Sequence, residues 1–323
     1  MSVLVETSAR LHFGFLNLSL SHDRLYGSLG LALETPRVVV AGEAADDVRC
    51  PHARARAYAE RACELLAVPG IELTIREDLP EHAGLGSGTQ LALSVLTAVA
   101  RVHDRAPAVR EHAPELDRGG RSGVGVATFE GGGFVLDAGH PTGLFTTEAP
   151  PRGAWTVPPV TARHPVPADW RFVLVLPDAD PGKTGDSEDE SMRSAVEAAD
   201  AGLADRISGV VTRRVLPALA TGDADAFGAA VADVGRLNGA WYADEQGGVY
   251  RPPVGAIVDS LSGSPAVAGA GQSSWGPAVY GVTDENRADA AETAGREALD
   301  AAGVGGDVQV VAPRNEGAKL SDA

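Results

Sequence analysis

The chain has 323 residues, 44% of them hydrophobic, which is enough for two ordinary domains and too apolar for an intrinsically disordered chain. It carries 44 acidic residues against 27 basic ones, a formal net charge of -17, and this balance excludes a general basic surface for nucleic acid. The longest apolar runs, such as residues 91–100, are too short to span a bilayer, so we expect neither a nucleic-acid nor a membrane partner.

The cysteines and the N-terminus bear on the compartment. Cys50 and Cys63 are the two cysteines, which favours a reducing environment over a disulfide framework. The first residues lack a basic segment followed by an apolar core, so we expect no signal peptide and a cytoplasmic protein. Arginine far outnumbers lysine, which fits either a GC-rich genome or, as we favour, a halophilic source.

The first part of the chain alternates strands and helices. Residues 4–15 predict a strand on which Arg10 and His12, two positions apart, share one face that is turned either to solvent or to a ligand. The other predicted elements of this part are strands at residues 26–34, 37–41 and 71–77 and a helix at residues 54–66 with Cys63 in its apolar stripe.

A glycine-rich loop, residues 80–90 (PEHAGLGSGTQ), separates strand 71–77 from a helix predicted over residues 89–106. The first backbone N–H groups of a helix lack intrahelical partners, and with the helix dipole behind them they attract an anion such as phosphate. The loop has neither the GK[ST] ending of a Walker A motif nor the dinucleotide-binding glycine spacing, so a purely structural turn stays an alternative. The candidate phosphate-binding residues are Gly84, Leu85, Gly86, Ser87, Gly88 and Thr89.

A second glycine-rich stretch covers residues 118–133 (RGGRSGVGVATFEGGG). We predict strands at residues 126–129 and 133–136 around a turn, and a second binding loop rather than a flexible linker, because apolar side chains alternate with the glycines. His140 stands beside a turn proline, which indicates a structural role.

A proline-rich connection at residues 146–169 marks the predicted domain boundary, giving domains 1–150 and 151–323. The second domain predicts an α+β sandwich, with strand 279–282 paired to strand 308–312. Its motif at residues 269–277 (GAGQSSWGP) places a tryptophan among glycines and serines, where an aromatic face can stack on a planar ligand. The candidate ligand-binding residues of this half are Gln272, Ser273, Ser274 and Trp275, with Arg314 and Asn315 just after a strand end.

The loop at residues 80–89 resembles the phosphate loop of the GHMP kinase superfamily. Together the motifs SARLHF, GLGSGTQLAL, GRSGVGVATFEGGGF, GQSSWGPAVYG and APRNEGA resemble one branch of it, the β-ribofuranosylaminobenzene 5'-phosphate synthase family, from residue 8 to about residue 317. The resemblance implies an α+β, two-domain GHMP-kinase-like fold, with a ribosomal-protein-S5-like N-terminal domain and a ferredoxin-like C-terminal domain. Superfamily members are often dimers, so we expect a homodimer.

The implied reaction joins phosphoribosyl pyrophosphate to 4-aminobenzoate or a 4-hydroxybenzoate type acceptor. A C–C bond to ribose C1 forms while carbon dioxide and pyrophosphate leave, in the pathway to methanopterin-type cofactors typical of archaea. Mg²⁺ would bind mainly through the pyrophosphate. Its protein ligands cannot be chosen from the sequence, although the acidic loop with Asp186, Glu188 and Glu190 is suggestive.

The resemblance also assigns roles. The glycine loop would hold a phosphate group of the donor, with Arg121 and Ser122 facing the same anion. Arg10 and His12 would orient the ribose phosphate or the acceptor carboxylate, and the residues of the C-terminal motif would bind the aromatic acceptor.

Two other functions stay open. Many GHMP kinases carry S-G-x-D, whose aspartate helps to activate the substrate hydroxyl; here Gly125 stands at that position, which disfavours an ATP-dependent kinase. A non-catalytic sensor of a phosphorylated metabolite is the other alternative. The synthase chemistry fits better, because an aromatic ring carbon that attacks C1 and loses carbon dioxide needs no base.

Overall fold

A computed structural model describes residues 2–144, 153–180 and 186–322. Within them, two antiparallel sheets are packed with helices, so the expected mixture of helix and strand is observed. The strands are β1 (Ser2–Asn17), β2 (Arg24–Ala45), β3 (Gly70–Glu77), β4 (Phe134–Asp137), β5 (His140–Pro141), β6 (Val160–His164), β7 (Trp170–Pro177), β8 (Gly269–Gln272), β9 (Val279–Asp284), β10 (Gly306–Val311) and β11 (Lys319–Ser321).

The helices connect and cover these sheets. A π-helical segment, Val211–Val215, joins the sixth and seventh of them. They are α1 (Ala53–Leu66), α2 (Ser87–Val102), α3 (Val109–His112), α4 (Val124–Gly131), α5 (Asp186–Ala198), α6 (Ala201–Val210), α7 (Leu216–Thr221), α8 (Ala224–Trp241), α9 (Ala243–Gln246), α10 (Val254–Ser262) and α11 (Ala288–Ala302).

The larger sheet is organised around β1 and β2. Its order over the described residues is β11-β1-β2-β4-β6, with β3 and β5 also paired to β2. The sequence predicts two strands where the structure has the single strand β2, which pairs with β4 before Pro36 and with β3 after it. The pairing of β2 with β1 shifts register between Ser8 and Arg10, opposite the segment that contains Pro36, so β2 continues through the proline.

The smaller sheet has the order β10-β7-β9-β8. The predicted pairing of strand 279–282 with strand 308–312 is therefore wrong, because β7 lies between β9 and β10 and bonds to both. The four residues from Phe172 to Val175 are fully buried, as a central strand requires. An apolar run shows that a strand is central but not which strands it joins.

The strand predicted at residues 126–129 is also wrong, since these residues lie in α4. Val124, Val126, Ala127, Thr128 and Phe129 are all buried, so most of the surface of this short helix is covered, and Glu130 near its end is exposed. A helix without a polar face has no 3.6-residue pattern, and its glycines argue for a turn. The neighbouring strand was placed correctly as β4.

One hydrophobic core joins the two sheets. The ring of Phe227 in α8 lies 5.8 Å from that of Phe13 in β1 and 4.9 Å from that of Trp170 in β7. Strands β6 and β11 follow the predicted boundary at residue 150, yet both pair with the larger sheet. Residues from distant parts of the chain therefore meet at one interface. None of the helices described combines the length and apolarity needed to cross a membrane.

Candidate functional site

The glycine loop leads directly into α2. Gly86 is the N-cap residue, its φ is +85°, and it has no side chain with which to cap the helix. The first N–H groups of α2 are thus left for an anion, as an N-terminus without a cap allows. Thr89, on the first turn, lines a polar cleft in front of the loop.

Arg10 supports this loop from β1. Its Nη1 donates a hydrogen bond of 2.5 Å to the carbonyl oxygen of Gly84, and its backbone N–H donates to the carbonyl oxygen of Leu85 at 3.0 Å. A Cβ at Gly86 would lie 3.2 Å from Cγ of Arg10, and the positive φ also disfavours other residues, so both features favour glycine here. Arg10 also lines the cleft, which gives it both the structural contact and access to a ligand.

Ser273 ties the C-terminal motif to the same loop. Its Oγ donates to the Gly84 carbonyl oxygen at 2.8 Å and accepts from the His12 backbone N–H at 3.1 Å. Ser274 adds a bond of 3.1 Å from its backbone N–H to the His12 carbonyl oxygen. The three sequence motifs around residues 10, 84 and 273 are therefore joined. Ser273 is fully buried, and its hydroxyl positions the loop.

The second glycine stretch is held by an acid that the sequence did not single out. Asp137 is buried and accepts hydrogen bonds from the N–H groups of Gly123 and Gly139, at 2.8 and 2.9 Å, and from the Ser28 hydroxyl. Burial raises the pKa of the Asp137 carboxyl, and these donors lower it in part. The sequence signal that could have identified Asp137 is its position directly after the strand predicted at residues 133–136.

Ser122 lies at the end of this network and lines the cleft. The Ser28 and Ser122 hydroxyl oxygens are 2.6 Å apart. Because Ser28 donates to Asp137, the proton between the two serines belongs to Ser122. The Ser122 oxygen also accepts from the Val124 N–H at 3.3 Å, so it offers the cleft one remaining lone pair, which suits a hydrogen-bond donor or a cation better than the phosphate oxygen expected from sequence.

Two arginines complete the cleft. Arg121 lines it, as expected, and forms an ion pair with Asp189 of α5. Arg118 was not predicted; it donates to the Tyr58 hydroxyl, and its guanidinium carbon lies 5.5 Å from the centre of that ring. A Cβ at Gly88 would be 3.1 Å from Nη1 of Arg118, so this cation lies against the start of α2. The sequence signal for Arg118 is the motif RGGR, of which only the second arginine, Arg121, was predicted to bind the anion.

The cleft therefore concentrates cations in an acidic protein. Arg10, Arg118 and Arg121 line it together with the carboxylates of Asp117 and Asp189. Asp117 is 3.8 Å from Arg61, so part of its charge is already compensated. The remaining lining residues with chemistry are His12, Thr89, Ser122, Trp155, Ser274 and Trp275.

A second, aromatic chamber adjoins the cleft. Its walls come from β1, α8, residues 246–250 and the C-terminal motif, and it includes Gln272 and Trp275. The Tyr242 and Trp275 rings pack edge to face with centroids 4.4 Å apart. His12, Phe15, Ser274 and Trp275 line both spaces and mark the junction between them.

His12 is neutral at this junction. Burial and the nearby Arg10 charge lower its pKa to about 3. Its Nδ1 is buried and has no hydrogen-bond partner among the residues described. A neutral imidazole cannot form an ion pair with a phosphate or carboxylate, so at physiological pH His12 is a neutral hydrogen-bonding group.

The structure does not bring Arg314 and Asn315 to this site. Arg314 is buried, forms an ion pair with Glu6 at 3.3 Å and donates to the carbonyl oxygens of Glu316 and Gly317. Asn315 exchanges two hydrogen bonds with the backbone of Val166. Neither residue lines the cleft or the chamber. The rule that ligands collect at strand ends holds for parallel sheets, and both sheets here are antiparallel.

The acidic segment predicted as a loop begins α5 instead. Glu190 is exposed, and the side chains of Asp186 and Glu188 lie outside the described part of the molecule. No group of three or more potential metal-binding side chains occurs among the residues that the structure describes. The carboxylates that face the cleft are those of Asp117 and Asp189.

Known proteins match both halves of the chain. Residues 53–133 match the GHMP kinases N terminal domain and residues 215–301 match the GHMP kinases C terminal domain. Among solved structures, the homoserine kinase of Cytophaga hutchinsonii aligns with a TM-score of 0.66 at 18% identity, covering 99% of this chain and 97% of that one. The galactokinase of Lactococcus lactis, solved with galactose, has a TM-score of 0.69 at 12% identity, covering 98% and 95%. These likenesses confirm the expected GHMP-kinase-like fold.

Two relatives share more of the sequence. A β-ribofuranosylphenol 5'-phosphate synthase of Methanothermobacter thermautotrophicus is 34% identical over 304 residues, which is 88% of this chain and 90% of the relative. A protein of the same name from Archaeoglobus fulgidus is 32% identical over 297 residues, or 87% and 88% of the two chains. The chain belongs to the β-ribofuranosylphenol 5'-phosphate synthase family, an enzyme family within the GHMP kinase superfamily.

Proposed function

We propose that this protein is a synthase that transfers the phosphoribosyl group of phosphoribosyl pyrophosphate to 4-hydroxybenzoate or 4-aminobenzoate, with loss of carbon dioxide and pyrophosphate. One observation carries the proposal: a cationic cleft and an aromatic chamber meet at His12, Phe15, Ser274 and Trp275. An anionic donor and a planar acceptor need these two environments side by side. The names of the relatives supply the phenol-linked ribosyl product.

The cleft suits the donor. The start of α2 and the guanidinium groups of Arg118 and Arg121 offer several donors to phosphate oxygens. Asp189 holds Arg121 by an ion pair, so a bound phosphate competes with this carboxylate. The Ser122 oxygen accepts a hydrogen bond from the ribose, whose hydroxyl groups are donors.

The junction suits the bond that forms. The bond between ribose C1 and pyrophosphate breaks, and its electron pair leaves with the pyrophosphate. The ring carbon that bears the carboxylate supplies a pair to C1, and the pair of the carbon–carboxylate bond then returns to the ring as carbon dioxide leaves. The atoms and electrons balance without a base, which agrees with a neutral His12 and with Gly125 in place of an acid.

A divalent cation such as Mg²⁺ fits the cleft. This ion usually binds through substrate phosphates and one or two carboxylates, and Asp117 and Asp189 are the residues that would hold it. When bound, it would neutralise charge on the leaving pyrophosphate. The protein's own groups orient the two substrates around it.

The test is an incubation of the protein at molar salt with magnesium, phosphoribosyl pyrophosphate and carboxyl-labelled 4-hydroxybenzoate or 4-aminobenzoate. We expect labelled carbon dioxide and pyrophosphate in a ratio of one to one. Tight ATP binding with release of neither product would instead favour a kinase, and binding of phosphoribosyl pyrophosphate without turnover would favour a sensor. The role in methanopterin-type cofactor synthesis, the cytoplasmic location, the high-salt adaptation and the homodimer stay predictions.

A further inference from the structure

The polar groups of the aromatic chamber are mostly engaged. Asn238 accepts from the Phe15 N–H at 2.7 Å and donates to two carbonyl oxygens. Gln272 donates to the Gly276 carbonyl oxygen at 3.1 Å, and Gln246 donates to that of Val249 at 2.7 Å. These side chains build the walls and leave few hydrogen-bonding groups for a ligand.

Tyr250 differs from them. Its hydroxyl oxygen is buried and has no hydrogen-bond partner among the residues that the structure describes. Burial raises the pKa of Tyr250 to about 12, so the group is a neutral hydroxyl at physiological pH. A buried hydroxyl without a partner is costly, and a ligand that bonds to it removes that cost.

The place of this hydroxyl is defined by α8. A Cβ at Gly235 would lie 3.3 Å from Oη of Tyr250, so the hydroxyl faces the bare helix backbone at a glycine. Both residues line the chamber, and neither lines the cleft. Tyr250 is therefore on the chamber side of the junction, away from the donor.

The proposed reaction fixes how the acceptor lies. The ring carbon that bears the carboxylate must face the junction at His12 and Trp275, where the cleft begins. The para position is on the opposite side of a benzene ring. Its substituent consequently points into the part of the chamber that does not border the cleft.

We propose that Tyr250 recognises the para substituent of the aromatic acceptor by a hydrogen bond and so selects acceptors with a para hydroxyl. This inference rests on the proposed function. A phenol can either accept the tyrosine O–H or donate to its oxygen, whereas the lone pair of an aromatic amine is delocalised into the ring, so the amine can only donate. We therefore expect 4-hydroxybenzoate to be preferred to 4-aminobenzoate.

The test compares two unreactive ligands, 4-hydroxybenzenesulfonate and benzenesulfonate, which differ only in the para hydroxyl. Calorimetry should show that the wild-type protein binds the first about tenfold more tightly, the effect of one net hydrogen bond. Tyr250→Phe should abolish this preference and bind benzenesulfonate as before. Gly235→Ala, which adds a methyl group 3.3 Å from the hydroxyl, should reduce the preference in the same way.

Tyr280→Phe is the matched control. Tyr280 is fully buried, its hydroxyl donates to the Val231 carbonyl oxygen at 3.4 Å, and it does not line the chamber. It should keep the tenfold preference. The proposal is overturned if Tyr250→Phe keeps the preference, or if this variant weakens both ligands equally, which would indicate a packing role.

The same proteins separate this inference from the proposed function. Wild-type turnover of carboxyl-labelled 4-hydroxybenzoate tests the function. A para-hydroxyl preference that depends on Tyr250, without any turnover, would support the binding role and refute the synthase. Turnover with an unchanged preference in Tyr250→Phe would do the reverse.

Discussion

Ser273→Ala removes the hydroxyl that joins β1 to the glycine loop. Ser273 is fully buried, and its hydroxyl makes two hydrogen bonds, to the Gly84 carbonyl oxygen at 2.8 Å and from the His12 N–H at 3.1 Å. The Gly84 oxygen keeps its hydrogen bond from Arg10, so losing the bond from Ser273 costs about 1 kcal/mol. The His12 N–H is left without this partner in a buried place, which costs about 1–3 kcal/mol. We expect the free energy of unfolding to fall by about 3 kcal/mol in total.

Chemical denaturation at fixed salt measures this change, with Ser274→Ala as the matched control. Ser274 lines the cleft and the chamber, and the bond that holds it to β1 comes from its backbone N–H. Its substitution should therefore change the stability by less than about 0.5 kcal/mol. If the two variants unfold at the same denaturant concentration, the hydroxyl of Ser273 does not hold the loop and our account of the site is wrong.

Three further predictions concern the cleft and its junction. Arg118→Ala should raise the KM for phosphoribosyl pyrophosphate by about 10- to 100-fold, because one charge-assisted hydrogen bond is lost. Arg101→Ala, at an exposed arginine, is the control and should leave this KM unchanged. Equal KM values for the two variants would refute the role of Arg118. Asp137→Asn should lower kcat more than it raises KM and should cost about 2 kcal/mol of stability, because an amide oxygen cannot accept from Gly123, Gly139 and Ser28 together. Unchanged kinetics with lower stability would show that the role of Asp137 is purely structural. The pKa of His12 falls from 6.5 to about 3 on folding, so the stability that its neutral form contributes is present above pH 6.5 and is lost as the pH falls toward 3. Between pH 7 and 5.5, the free energy of unfolding of the wild type should fall by about 1.3 kcal/mol more than that of His12→Gln. Parallel curves of stability against pH would contradict the buried neutral state.

The sequence predicted the parts of the site that depend on local backbone. Gly84 and Gly86 have φ values of +91° and +85°, which glycine adopts more readily than other residues, so a glycine-rich loop indicates such a turn. The strand before the loop alternates as a half-buried element does, and the helix after it is a long apolar run without glycine or proline, as a nearly fully buried helix can be. A loop of this kind can therefore be predicted from a short stretch of sequence.

Residues whose role depends on a distant partner were harder to find. Arg118 acquires its place from Tyr58, and Asp137 from Ser28, which is 109 residues earlier. Trp275 was expected to face a ligand, and the structure does place it at the junction of both spaces. The prediction for Arg314 was wrong because an arginine after a strand has the same local pattern whether it binds Glu6 or a ligand.

The contact between His12 and Ser273 also has a consequence for the order of folding. It closes a loop of 261 residues, and the entropy lost in such a closure must be compensated by the core that both sheets share. The helix α2, in contrast, packs mainly on β1, β2 and α1, which lie close to it in the sequence. During refolding, α2 should therefore form before Ser273 fixes the glycine turn and before the aromatic chamber exists. Affinity for an aromatic ligand should return in the slowest phase, together with the docking of β8 against β1.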